Sequence, residues 1–142
     1  MTALLPKASK AILLIDDDEL IAGSLRQVLA SSGCEVDVAL EPCTARALMA
    51  SRAYDVVMVD PYLTGGVHQQ SGELLEAIGS LQPGASVVVL TGYGSPDLVH
   101  AEADGRVSKI LAKPQSIPFL SEYLFSASQI AVIEPSIKGR PE

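Results

Sequence analysis

The chain has 142 residues, 48% of them apolar, with 17 acidic against 10 basic residues and a formal charge of −7; such a length and apolar share suit one compact domain around a single core. The Lys and Arg are scattered singly, so there is no basic stripe to neutralise a phosphate backbone, and direct nucleic-acid binding is not expected. No apolar run approaches the roughly 20 residues of a membrane helix, and the opening MTALLPKASK has no secretory stretch, so the chain is expected in the cytoplasm.

After a lead of residues 1–9, AILLI (11–15) is the first of five short apolar runs, each of which predicts a strand. Asp16, Asp17 and Asp18 follow it. Asp18 suits the start of a helix, where a carboxylate meets the N-terminal dipole. Ile21, Leu25, Val28 and Leu29 then recur at helical spacing, closed by Gly33 as a C-terminal cap. The second run is EVDVA (35–39), after which Pro42 opens a helix with Ala45, Leu48 and Met49 inward. Cys34 and Cys43 lack CxxC spacing and ligand histidines beside them, and are read as reduced structural thiols.

DVVMV (55–59) leads into Asp60, and PYLTGGVHQQSG (61–72) predicts a long polar loop. SVVVL (86–90) leads into Thr91 and Gly92, and KILA (109–112) into Lys113 and Pro114. A last helix is predicted over Ile117 to Ala127, with Phe119, Leu120, Tyr123 and Leu124 on one side, and residues 128–142 read as a tail or linker stub. The expected organisation is therefore a lead (1–9), one domain (10–127) and a tail (128–142). His68 and His100 stand apart without metal-ligand spacing and are expected on surface or loop.

Near-continuous apolar strands alternating with helices imply a parallel sheet covered on both faces through right-handed crossovers, a (βα)5 α/β domain. In such a sheet, ligands bind outside the carboxyl ends of the strands. Four of the five predicted strands deliver polar groups there: Asp16 and Asp17, Asp60, Thr91, and Lys113. Carboxylates gathered at one edge repel unless a cation compensates, and an all-oxygen cluster suits Mg2+ better than zinc. Lys113 adds positive charge and Thr91 a hydroxyl, a setting for phosphoryl oxygens, beside which an ionised Asp can act as nucleophile.

ILLIDDDE, VVMVD, VVVLTG and ILAKP together resemble the strand-end motifs of the receiver domains of two-component response regulators, over about residues 10–127. The resemblance implies a flavodoxin-like doubly wound sheet in strand order 2-1-3-4-5. It implies Asp60 as phospho-acceptor, Asp16 and Asp17 as the acidic Mg2+ pair, Tyr62 as a backbone-carbonyl ligand, and Thr91 and Lys113 as the residues that hold the phosphoryl group. It implies a sensor histidine kinase or histidine phosphotransfer protein as donor, an output partner the sequence does not name, and a homodimer on phosphorylation. No enzymatic turnover is implied beyond self-catalysed phosphoryl transfer and slow autodephosphorylation. Lys113-Pro114 resembles the family's cis bond.

Three departures stand out. Thr64 replaces the Pro common four places past the acceptor, and the following Gly comes only at Gly72, which implies an insertion of about four residues within 65–71. Ile110 stands where many receivers carry a moving aromatic, a part Tyr93 is placed to take over. Three rival readings exist. A haloacid-dehalogenase-type phosphatase fits the DxD of Asp16–Asp18 but lacks any Asp beyond Lys113. A degenerate receiver would serve as a phosphorylation-independent interaction module. A dinucleotide carrier fails for want of GxGxxG.

Overall fold

The computed structural model describes the backbone of residues 10–60, 68–92 and 102–138, and the side chains within them except at 68–72 and 130–138. Among the described residues there are five strands: β1 (Ala11–Ile15), β2 (Glu35–Ala39), β3 (Val56–Val59), β4 (Ser86–Thr91) and β5 (Lys109–Ala112). The helices among the described residues are α1 (Glu19–Ser31), α2 (Pro42–Ser51), α3 (His68–Leu81) and α4 (Ile117–Lys138). All strand pairs are parallel and the order is β2-β1-β3-β4-β5, as the sequence reading expected.

Alternation along the strands divides the core in two. Leu13, Ile15, Val57, Val59 and Val89 point to one face and pack with Ala45 and Met49 of α2 and Leu74 and Ile78 of α3. Ile12, Leu14, Met58, Val88 and Leu90 point to the other and pack with Leu25 and Leu29 of α1 and Leu120 and Leu124 of α4. β1 and β3 are buried throughout because each has strands on both sides and helices on both faces. β2, at an edge, is buried only at Ala39.

The helix ends follow the local chemistry. Asp18 caps α1: its Oδ1 accepts from the amides of Leu20 and Ile21 at 3.1 and 3.2 Å. Beyond the other end of α1, Gly33 has φ +96°, a left-handed turn that glycine adopts without steric cost. Two boundaries differ from expectation. Residues 68–72, expected in the loop, form the first turns of α3; their Gln and Ser hide a helix whose apolar stripe begins only at Leu74. The part of that loop at 61–67, including Thr64, lies outside the described residues. α4 runs past Ala127 to Lys138, and Ser128 is buried with its hydroxyl donating to the Phe125 carbonyl at 2.7 Å. On α1 and α4, Val28 and Phe119 are exposed instead of turned inward.

Gln82, just past α3, is buried and fully bonded. Its Nε2 donates to the carbonyls of Met49 and Arg52 at 2.9 and 2.7 Å, and its Oε1 accepts from the Tyr54 amide at 2.8 Å. It thereby fastens the exit of α2 and the entry to β3 onto α3. Truncation strands these partners in a buried place, at roughly 1–3 kcal/mol for each group left unpaired. Gln82→Ala is expected to cost about 3 kcal/mol in chemical denaturation. A loss below about 1 kcal/mol would show that water replaces the amide freely.

Candidate functional site

The register of the sheet assembles the site. Ile15 lies opposite Val59, so the next residues, Asp16 and Asp60, emerge side by side at the carboxyl ends of the two central strands. Ladder bonds continue past the strands: Asp16 N donates to Ala39 O at 3.1 Å and Asp60 N to Ile15 O at 2.9 Å. Thr91 ends β4 opposite Ala112, and Lys113 N donates to Thr91 O at 2.9 Å. The Lys113-Pro114 peptide is cis.

Lys113 Nζ lies 2.9 Å from Asp60 Oδ2, a hydrogen-bonded ion pair, and 3.3 Å from Asp16 Oδ2. Asp16 is wholly buried, Asp60 and Thr91 nearly so, while Asp17 is exposed on the rim. Asp16 Oδ1 accepts from the Asp18 amide at 2.9 Å, but its buried Oδ2 has no hydrogen bond, only the charge of Lys113 beside it. Burial pushes the Asp16 carboxyl above the usual carboxylate range, helped by the Asp60 charge and opposed by the Asp18 N–H and Lys113. For Lys113, burial disfavours the charge, but the bond to Asp60 and the charges of Asp16 and Asp60 outweigh it and raise the pKa. The arrangement is a buried pair of carboxylates held by one ammonium, with the exposed Asp17 next in sequence to Asp16.

Asp16, Asp17, Asp60, Thr91 and Lys113 are thus all at one sheet edge. Tyr62 and Tyr93 lie outside the described residues. Ile110 is half-buried against the core on the α2–α3 face. Among the described residues no three His, Cys, Asp or Glu side chains form a ready-made metal cage. Sequence reasoning did not anticipate the Asp16 Oδ1 bond to the Asp18 amide; the run of three aspartates is its signal, since Asp side chains bond the backbone two residues on.

A family model described as the response regulator receiver domain matches residues 12–125. The chain belongs to this family. The photosynthetic apparatus regulatory protein RegA of Rhodobacter capsulatus is 26% identical over 137 residues, covering 87% of this chain and 73% of that protein. The response regulator receiver protein Anae109_2439 of Anaeromyxobacter sp. is 29% identical over 108 residues, 75% of this chain but 43% of its own length. A CheY-like receiver domain from Methanospirillum hungatei superposes with TM-score 0.78 at 26% identity, covering 89% of this chain and 99% of that one. A response regulator from Burkholderia pseudomallei, solved with a phosphorylated aspartic acid, calcium ion and citrate, superposes with TM-score 0.70 at 26% identity, covering 93% and 76%. The receiver domain described here is a signalling module, and neither the dehalogenase nor the degenerate reading is favoured. No helix among its described residues is long and apolar enough to cross a membrane.

A carboxyl harder to ionise in the folded than in the unfolded chain stabilises the fold while protonated, and this contribution is lost as pH rises through the folded pKa. Ionised Asp16 is therefore a cost to the metal-free receiver at neutral pH. Asp16→Asn is expected to raise Tm at pH 7 in chelator by roughly 3 °C, about 1 kcal/mol. The gain should shrink as pH falls toward about 4, the ordinary aspartate range. A variant that melts lower at pH 7 would show that the Lys113 contact outweighs burial.

Proposed function

We propose that Asp60 is the phospho-acceptor of this receiver, and that a sensor histidine kinase or histidine phosphotransfer protein is the donor. The observation that carries the reading is the buried Asp60 carboxylate held by Lys113 beside Asp16. In the reaction an Asp60 carboxylate oxygen bonds to phosphorus as the donor's N–P bond breaks, and the freed imidazole takes up a proton. The ammonium of Lys113 and the hydroxyl of Thr91 then serve the new phosphoryl oxygens. Bringing them close means drawing Lys113 from its present carboxylate contacts, which couples the chemistry to a change of conformation.

The donor set fits Mg2+. A buried carboxylate oxygen without a hydrogen bond, on Asp16, faces the same edge as Asp60 and Asp17. Mg2+ keeps several waters and needs only one or two carboxylates, so a closed protein cage is unnecessary. We assign Asp16, Asp17 and Asp60 as its ligands, with the Tyr62 carbonyl completing the set, and the ion would neutralise charge on the phosphoryl oxygens. The signalling unit is residues 10–127, it works in the cytoplasm, and its output runs through a partner or through a homodimer formed on phosphorylation.

Incubation with Mg2+ and acetyl phosphate should add one phosphoryl mass to the parent and none to Asp60→Asn; phosphate on that variant would remove the assignment. Lys113→Ala should still gain the mass but lose the hydrogen-exchange response that accompanies it in the parent, and a response of parental size would sink the switch role. A separate expectation concerns lifetime, because tyrosines stand two places past Asp60, at Tyr62, and two places past Thr91, at Tyr93, and rings at those positions would obstruct an attacking water. In-line placement of water supplies much of the catalysis of phosphoryl hydrolysis. The double change Tyr62→Asn with Tyr93→Glu is expected to speed loss of the phosphoryl group several-fold, and an unchanged decay time would discard the steric argument.

A further inference from the structure

Asp18, the third acid of the run that follows β1, is not among the ligands assigned above, yet two sets of hydrogen bonds meet on it. Its Oδ1 accepts from the amides of Leu20 and Ile21 at 3.1 and 3.2 Å, and its carbonyl accepts from the Ala22 amide at 3.0 Å, so residue 18 is fixed to the first turn of α1. That helix is itself anchored, because Ala22, Leu25 and Leu29 are buried in the core. On its other side the Asp18 amide donates to Asp16 Oδ1 at 2.9 Å.

The consequence falls on Asp16. The terminal torsion of an aspartate is broad, and either of its oxygens can meet a cation. Here Oδ1 is taken by a backbone N–H, while Oδ2 is left buried without a hydrogen bond, 3.3 Å from Lys113 Nζ. The orientation of the carboxylate is thus transmitted from a rigid helix through a single residue. Asp18 is exposed, and its Oδ1 serves two amides that the start of a helix otherwise leaves without partners. The geometry uses it as a cap and not as a charge.

We propose that Asp18 is a positioning residue for the metal: by capping α1 it holds its own amide on Asp16 Oδ1 and so keeps Asp16 Oδ2 presented to Mg2+. The proposal rests on the assignment of Asp16 as a ligand made above. Groups that bond to a ligand and not to the ion commonly change metal affinity roughly 10- to 100-fold when removed.

Mg2+ titrations of the full chain, followed in 1H–15N spectra, test this. Asp18→Asn and Asp18→Ser lose the charge but keep a capping oxygen, whereas Asp18→Ala loses both. The two capped variants should bind Mg2+ within about twofold of each other, and Asp18→Ala about tenfold more weakly than either. In chelator, the residue 18 amide should exchange slowly in the parent and in Asp18→Asn, and about tenfold faster in Asp18→Ala. Gly33→Ala controls for stability. It forces a side chain onto φ +96° beyond the far end of the same helix, where an added Cβ meets nothing within 4 Å, and it should leave Mg2+ affinity at the parental value. Equal affinity in Asp18→Ala and Asp18→Asn overturns the proposal, since charge alone would then be the contribution of Asp18. So does a loss in Gly33→Ala that matches the loss in Asp18→Ala, which would make the effect one of helix stability. A parent that binds no Mg2+ removes the ligand assignment and the proposal with it, and slow exchange at residue 18 in chelator tells that failure apart from a cap that does not hold Asp16.

Discussion

One ammonium between two buried carboxylates is the constraint on which this receiver turns. Asp16 and Asp60 come side by side because β1 and β3 pair in register, and like charges in so confined a place are unfavourable without a cation. Lys113 supplies it, at 2.9 Å from Asp60 and 3.3 Å from Asp16. The doubly wound sheet can be understood as the frame for this contact. Its central strands end in acids, its fourth in a hydroxyl and its edge strand in the base, so no pair of elements alone builds the site.

The same contact gives the resting domain its bias. Lys113 satisfies charge in the unmodified state, and any group that adds negative charge on Asp60 or positive charge near Asp16 changes what holds that ammonium in place. A buried polar cluster with one carboxylate oxygen short of a hydrogen bond is poised for a second cation or for rearrangement, in contrast to the fully bonded Gln82 at the opposite end of the sheet. The molecule combines an under-satisfied end and a saturated one.

Much of this was legible in the sequence because the chemistry sits where the hydrophobic pattern stops. AILLI, DVVMV, SVVVL and KILA are apolar enough to declare buried strands, and the residues directly after them are the ones brought together. What misled was amphipathicity of another kind. HQQSG looks like loop because its residues are polar and carry no apolar stripe, and the end of α4 looks like tail because Glu134, Pro135 and Gly139 punctuate it, although the helix continues to Lys138. Val28 and Phe119 have helical spacing, but neither is covered, which no periodicity reveals. Gln82 was unforeseeable: a lone glutamine after a helix gives no hint that three backbone groups converge on it.

The strand order has a consequence for how the chain acquires its shape. β1 is made first, yet its inner neighbour β3 begins only at Val56, paired with Ile12. The hydrogen bond from the Ala11 amide to the Asp55 carboxylate spans 44 positions, and the outer half of the sheet is added beyond β3. Closing such a loop costs chain entropy before any packing repays it. On a ribosome, β1, α1 and β2 therefore emerge with one side of β1 bare, and the nascent chain stays open along that edge until about residue 60 has cleared the exit.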